Sequence, residues 1–261
     1  MTDTLQITCF KEVEVKEATL KVKPAIGLLG LADRSTRYYL EQLNAQYNGL
    51  YGGDNTCRIK LLNVNFELIN PFLPDDFEQL IPVTRQSLME LVAMDVDQII
   101  LPNITLHNTI DQLSLEKELY DKIAHPLKLL GEVVESRNIN EMRLLATRHK
   151  SHGDYLSNFL AGLGVKVTFP SQEQLRTNEA LRCDIYSHSD QHHQFSELFT
   201  QVNQYINDEN GVIVIACTEL SIAWDKAKKM NNIQLDKTRI IDLSQLQIDT
   251  AIERLEAINY S

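Results

Sequence analysis

The sequence predicts an α/β protein made of two pseudosymmetric, doubly wound parallel-sheet lobes, with the active site in the cleft between them. Three observations predict it. Short apolar runs alternate with longer stretches of helical periodicity, the pattern of parallel strands joined by crossover helices. Two pairs of those runs echo each other in the same order. The chain, at 261 residues and 43% hydrophobic, is near the length at which a single core divides.

Taken in order, residues 1–23 stand outside the pattern as an N-terminal extension. Its "LQITCFKEVEVKEATLKVK" alternates apolar with polar residues and suits an edge strand, a hairpin or a loose extension. "PAIGLLGLA" (24–32) then reads as the first buried strand, and "STRYYLEQLNAQY" as the helix after it, with Ser35 and Thr36 in capping positions. "CRIKLLNVNF" (57–66) and "DQIILPN" (97–103) are further strands around the helical "DDFEQLIPVTRQSLMELVAMD". Past them, "MRLLATR" (142–148), "VKVTFP" (165–170) and "GVIVIAC" (211–217) read as strands, the last preceded by the helical "QFSELFTQVNQYIND". Residues 24–132 with 238–261 form the expected first lobe, and 133–237 the second.

The echo sharpens this division. "QIILPNITL" (98–106) lies over "VIVIACTEL" (212–220), and "AIGLLGLAD" (25–33) over "EMRLLATRH" (141–149). From Leu28 to Asn103 is 75 positions and from Leu144 to Cys217 is 73, as a duplicated unit requires. Ligands of open parallel sheets bind beyond the carboxyl ends of the strands. Asn103, Thr105, Thr147, Cys217 and Thr218 are expected to gather there.

"IGLLGLADRSTRYY", "IILPNITLH", "LLATRHKS" and "IVIACTEL" together resemble the cofactor-independent aspartate/glutamate racemase superfamily from about Pro24 onward. In that family each lobe offers a cysteine to one face of the carbon beside a carboxylate. One thiolate removes a proton and the opposite thiol returns one. The resemblance makes Cys217 the second-lobe catalytic residue and puts Asn103 in the first cysteine's place. It implies that Thr105, Thr147 and Thr218, with Ser35, Thr36 and Lys150, bind substrate. It also implies no metal or organic cofactor, a homodimer, and a return of the final segment (240–255) to the first lobe.

The departures from the pattern matter. Asparagine cannot take a carbon-bound proton, so one family-type catalytic thiol remains. One-cysteine relatives of the decarboxylase type use theirs to protonate a carbanion. "NPFLPDDF" resembles a loop that carries an arginine for a second substrate carboxylate, yet Asp76 stands in its place, so a second substrate carboxylate is not expected unless Arg34, Arg148 or Lys150 supplies that charge. Three readings stay open: an amino-acid racemase-family enzyme, a one-cysteine decarboxylase or isomerase of a small acid, and a carboxylate-binding paralogue without turnover. "CTEL" and "ATR" favour the first.

Each residue also has a structural alternative. Cys217 could be a small buried hydrophobe, Asn103 a helix cap, Glu219 a helix-start acid and His107 a packing histidine. Trp224 could pack the hinge or close the pocket floor. "HSDQHH" (188–193) has transition-metal spacing in polar surroundings, and a metal site is not expected. Cys9, Cys57 and Cys183 read as incidental or core residues. With 25 Lys and Arg against 36 Asp and Glu, the formal charge is -11, which disfavours nucleic acid and anionic membrane as partners. No secretory pattern or membrane span is visible, so the expected setting is cytoplasmic and the expected partner a small carboxylic or amino acid.

Overall fold

A computed structural model describes residues 24–147, 150–208, 211–231 and 237–259, so the extension read over 1–23 lies outside the described residues. In the first lobe β1 (Ile26–Gly30), β2 (Ile59–Asn63) and β3 (Gln98–Ile100) form a parallel sheet of order β2-β1-β3. The second lobe has β4 (Glu141–Leu145), β5 (Lys166–Thr168), β6 (Val212–Ile215) and β7 (Ile240–Asp242), parallel in the order β5-β4-β6-β7. The helices in chain order are α1 (Asp33–Tyr51), α2 (Phe77–Val92), α3 (His107–Gln112), α4 (Lys117–Lys122) and α5 (Pro126–Arg137). Those that follow are α6 (Lys150–Gly162), α7 (Gln172–Tyr186), α8 (His192–Asp208), α9 (Thr218–Asn231) and α10 (Leu243–Asn259).

All five residues of β1 are buried, because helices cover both faces of a central parallel strand; the edge strand β2 has no fully buried residue. Burying Leu28 or Leu29 is worth roughly 1.5–3 kcal/mol each. The core runs through both lobes: Leu28 and Tyr39 share one apolar cluster with Leu145, Ile215 and Trp224. Trp224 stacks on Phe199 at 5.8 Å between ring centroids, so it serves packing.

Two expectations change. Helix α1 starts at Asp33 with Ala32 as N-cap and no side-chain cap, so Ser35 and Thr36 are not capping residues. The turn leaving β1 has backbone groups of its own to satisfy. Ser35 Oγ donates to the Ala32 carbonyl at 3.1 Å, and Thr36 Oγ1 accepts from the Leu31 N–H at 3.0 Å. The tail from 238 also divides. Strand β7 pairs with β6 in the second sheet, Ile213 opposite Ile240, while α10 packs on β3, α1 and α5.

A polar clasp joins the lobes outside this core. Arg34, at the start of α1, reaches Asp190 at 3.1 Å and His188 Nδ1 at 3.0 Å, and Lys226 of α9 reaches the other Asp190 oxygen at 2.6 Å. Asp33 lies 3.2 Å from His188 Nε2. The "HSDQHH" stretch is thus used, at Asp190 for ion pairing and at His188 for contacts with Arg34 and Asp33; the His192 side chain lies outside the described residues. Burial alone would raise the Asp190 pKa, but the bond from Lys226 and the charges of Lys226 and Arg34 hold it below the usual range.

Candidate active site

The carboxyl ends of β1, β3, β4 and β6 converge on one small cavity of about 70 Å³. Strand β1 delivers Ala32, β3 delivers Pro102, Asn103 and Thr105, and β4 delivers Thr147. From β6 come Cys217, Thr218 and Glu219. A water needs about 10–15 Å³ measured in this way, so the cavity holds a few waters or a ligand of similar size. Asn103, Thr105, Thr147, Cys217 and Thr218 are therefore together on one wall system, as their strand-end positions require.

Cys217 is nearly buried, at 9% exposure, where β6 gives way to α9. Its Sγ–H donates to Glu219 Oε2 at 3.2 Å, and Thr147 Oγ1 lies 4.0 Å from the sulfur. Burial pushes the thiol pKa well up and the Glu219 charge adds to this, while the backbone N–H groups of Leu220 and Glu219 oppose it. The opposition is physical: helix N-terminal amides favour a thiolate, whereas a carboxylate and an apolar wall favour a thiol. At rest Cys217 is a protonated proton donor. Glu219, read from sequence chiefly as a helix-start acid, touches the sulfur as well.

Asn103 accepts the Leu106 N–H on Oδ1 at 2.9 Å, capping the turn before α3, and no partner for its Nδ2 donor is found among the described residues. The Asn103 carbonyl is 2.9 Å from His107 Nδ1, so that nitrogen carries the proton and Nε2 accepts from Gln247 Nε2 at 3.3 Å. Gln247 of α10 also donates to the Ala124 carbonyl at 2.7 Å and accepts from Tyr39 Oη at 2.7 Å. His107 is wholly buried, and burial followed by the neighbouring His125 lowers its pKa to about 3. It is a neutral packing histidine that anchors the Asn103 loop from behind.

Ser35 and Thr36 do not line the cavity, since their hydroxyls turn back to the β1–α1 backbone. Arg148 lies outside the described residues, as does the Lys150 side chain, although Lys150 opens α6. Arg34 is engaged in the interlobe clasp, and Asp76 accepts from the Gln79 N–H at 3.4 Å as the N-cap of α2. Asn70 and Leu73 of the same "NPFLPDDF" loop do reach the cavity. Cys57 is buried with its pKa pushed up to about 12 by burial, Cys183 is exposed, and Cys9 lies outside the described residues.

Sequence reasoning missed Arg182 and Tyr186 of α7 and Phe66 after β2, which close the cavity on its outer side. Arg182 is the cation among the described lining residues. Its charge is already matched: Nη2 bonds Glu179 Oε1 at 2.6 Å, and Nε bonds both Glu179 oxygens at 3.1 Å. Tyr186 lies 5.9 Å beneath the Arg182 guanidinium and 6.4 Å from the Phe66 ring, so the two aromatic rings meet across the cleft. The capping box of Ser171 and Gln174 marks where α7 begins, but no local signal says which of its faces meets the other lobe.

Neither a protein-family model nor a curated relative matches the chain. Solved structures do. An aspartate racemase homologue from Pyrococcus horikoshii superposes with a TM-score of 0.68 at 15% identity, over 90% of this chain and 99% of that one. Picrophilus torridus aspartate racemase gives 0.66 at 15%, over 89% and 94%. The maleate isomerase of Pseudomonas putida gives 0.52 at 11%, over 88% and 93%. The chain has the two-lobed fold of the aspartate/glutamate racemase superfamily.

Proposed function

We propose, from that shared fold, that the chain is a cofactor-independent amino-acid racemase-family enzyme in which Cys217 transfers a proton at the carbon beside a carboxylate. One observation carries the reading. The sulfur closes a buried strand inside a cavity that also holds the family-matched threonines, with a carboxylate oxygen 3.2 Å away to take its proton. In this scheme Glu219 accepts the thiol proton as substrate binds, and the thiolate removes the α-proton from one face. Negative charge then builds on the substrate carboxylate, where Thr147, Thr218 and the first N–H groups of α9 offset it. Returning the proton from the same sulfur gives exchange with retention. Asn103 Nδ2 holds the opposite side, where relatives with two thiols would complete inversion.

The protonated state of Cys217 also favours a second reading, a one-cysteine lyase in which the thiol protonates the enolate left by loss of CO2; in the isomerase variant of it the thiol gives its proton to Glu219 and the sulfur adds to an unsaturated acid. The substrate in either case is a small carboxylic or amino acid, and the active unit a homodimer in the cytoplasm. The deciding experiment incubates the protein with amino acids in heavy water and follows the α-proton by NMR. Exchange that disappears in Cys217→Ser supports the racemase-family reading, and Asn103→Cys should then add inversion to exchange. CO2 release from a substituted malonate without α-proton exchange would replace it with the lyase. Thermal stabilisation by acids with neither reaction would leave a binding protein.

A further inference from the structure

Two cavities meet at Tyr186. Beyond the Cys217 cavity lies a second, larger space of about 430 Å³ that shares Ala32, Phe66, Asn70 and Tyr186 with it. The Phe66 and Tyr186 rings, one from each lobe, stand at the boundary. The Tyr186 hydroxyl is out of solvent and has no hydrogen-bond partner among the described residues. Buried hydroxyls in folded proteins are nearly always paired, so an unpaired one lining a cavity points to a group that arrives with the ligand. Burial, followed by the Glu219 charge, raises the phenol pKa to about 12, which keeps the O–H able both to give and to take a hydrogen bond.

The chemistry of the outer space indicates what passes that boundary. Asn63, Asn65 and Asn70 line it with Asp33 and Glu67, Asp33 being held by Arg37 at 2.7 Å and His188 at 3.2 Å, and no lysine or arginine is among its described lining residues. Within the inner cavity the Arg182 charge is matched by Glu179. A second carboxylate on the ligand would therefore face the Glu67 carboxylate with no uncommitted lysine or arginine among the described lining residues, whereas an N–H-bearing tail would meet that carboxylate as an acceptor.

Resting on the proposal that the Cys217 cavity holds the reacting carboxylate, we infer that the substrate is an amino acid longer than aspartate with a nitrogen-bearing tail. That tail passes beside the Phe66–Tyr186 ring pair, along the residues the two cavities share, into the outer space, and Tyr186 Oη is its specificity-determining contact. The tail is an amide, ammonium or guanidinium.

Calorimetric titration of the wild-type chain with L-glutamine, L-lysine, L-arginine, L-glutamate, L-aspartate and L-alanine tests this. At least one nitrogen-tailed amino acid should bind more tightly than glutamate and aspartate. Tyr186→Phe should weaken that ligand roughly 2- to 12-fold, the value of one hydrogen bond, and leave L-alanine unchanged. Glu67→Lys, at an exposed position, should move the preference toward glutamate even if the tyrosine variant does not fold. Tightest binding of a dicarboxylate, equal loss for alanine and the tailed ligand in Tyr186→Phe, or no binding across the set would overturn the inference. Parallel α-proton exchange separates the two claims. The expected binding order without exchange refutes the proposed reaction and keeps the tail assignment, and exchange with aspartate or glutamate preferred does the reverse.

Discussion

Replacing Glu219 with glutamine should make Cys217 markedly more acidic. In the wild-type chain a thiolate at Sγ would face a carboxylate oxygen at 3.2 Å and would lose the hydrogen bond that the thiol gives it. For unit charges at that separation and an effective dielectric of roughly 20–40, the repulsion is about 3–5 kcal/mol, or about two to four pH units in the thiol's titration. The amide removes this charge and leaves burial and the backbone N–H groups of Leu220 and Glu219 in place. The assay is the pH dependence of iodoacetamide alkylation at Cys217, mapped by mass spectrometry. Cys9→Ser and Cys183→Ser provide the background, because Cys57 is buried and burial pushes its pKa up to about 12. The midpoint should fall in Glu219→Gln. An unchanged or higher midpoint would show that burial alone governs the thiol and that Glu219 is not its proton partner.

Other consequences can be tested on stability. His107 has its native pKa lowered to about 3 by burial and then by His125, so the unfolded chain binds a proton near pH 6.5 that the native chain refuses. The histidine's contribution is complete above pH 6.5 and is lost as pH falls from there toward 3, on the order of 1 kcal/mol per pH unit. Urea unfolding of His107→Gln against wild type should show a shallower acid slope, and identical slopes would contradict the neutral assignment. Asp190→Ala leaves Arg34 and Lys226 without their shared carboxylate and should cost about 1–2 kcal/mol in the same assay, between exposed and buried ion pairs. A Cβ at Gly30 would lie 2.6 Å from Asn63 Oδ1 and 2.9 Å from Leu61 Cδ1, so Gly30→Ala should lose about 1–3 kcal/mol and displace Asn63, as thermal melts and a crystal structure would reveal.

The strands were legible because buried parallel strands are nearly continuous apolar runs, and all six read from sequence overlap an observed strand. β7 was not read as a strand. Its three residues, Ile240–Asp242, run straight into α10 with no turn residue between them, whereas the equally short β3 and β5 lie in apolar runs that a proline follows. Residues at strand ends were legible for a related reason: the doubly wound fold decides where carboxyl ends point, so Asn103, Thr147 and Cys217 could be brought together from spacing. Ser35 and Thr36 follow a strand as well, but the turn beside them used their hydroxyls for its own backbone. Arg182 and Tyr186 stayed hidden because their place depends on how one lobe leans on the other. No local pattern in α7 encodes that angle.

The position of Gln247 has a consequence for biosynthesis. The loop bearing Asn103 is held through His107 by this one amide of α10, and the neighbouring β7 completes the opposite sheet. A nascent chain that has emerged only as far as residue 238 therefore has every cavity-lining side chain on hand but neither lobe finished. Ribosome-bound intermediates of that length should be open to protease at the Asn103 loop, and maturation of both halves becomes a single late event.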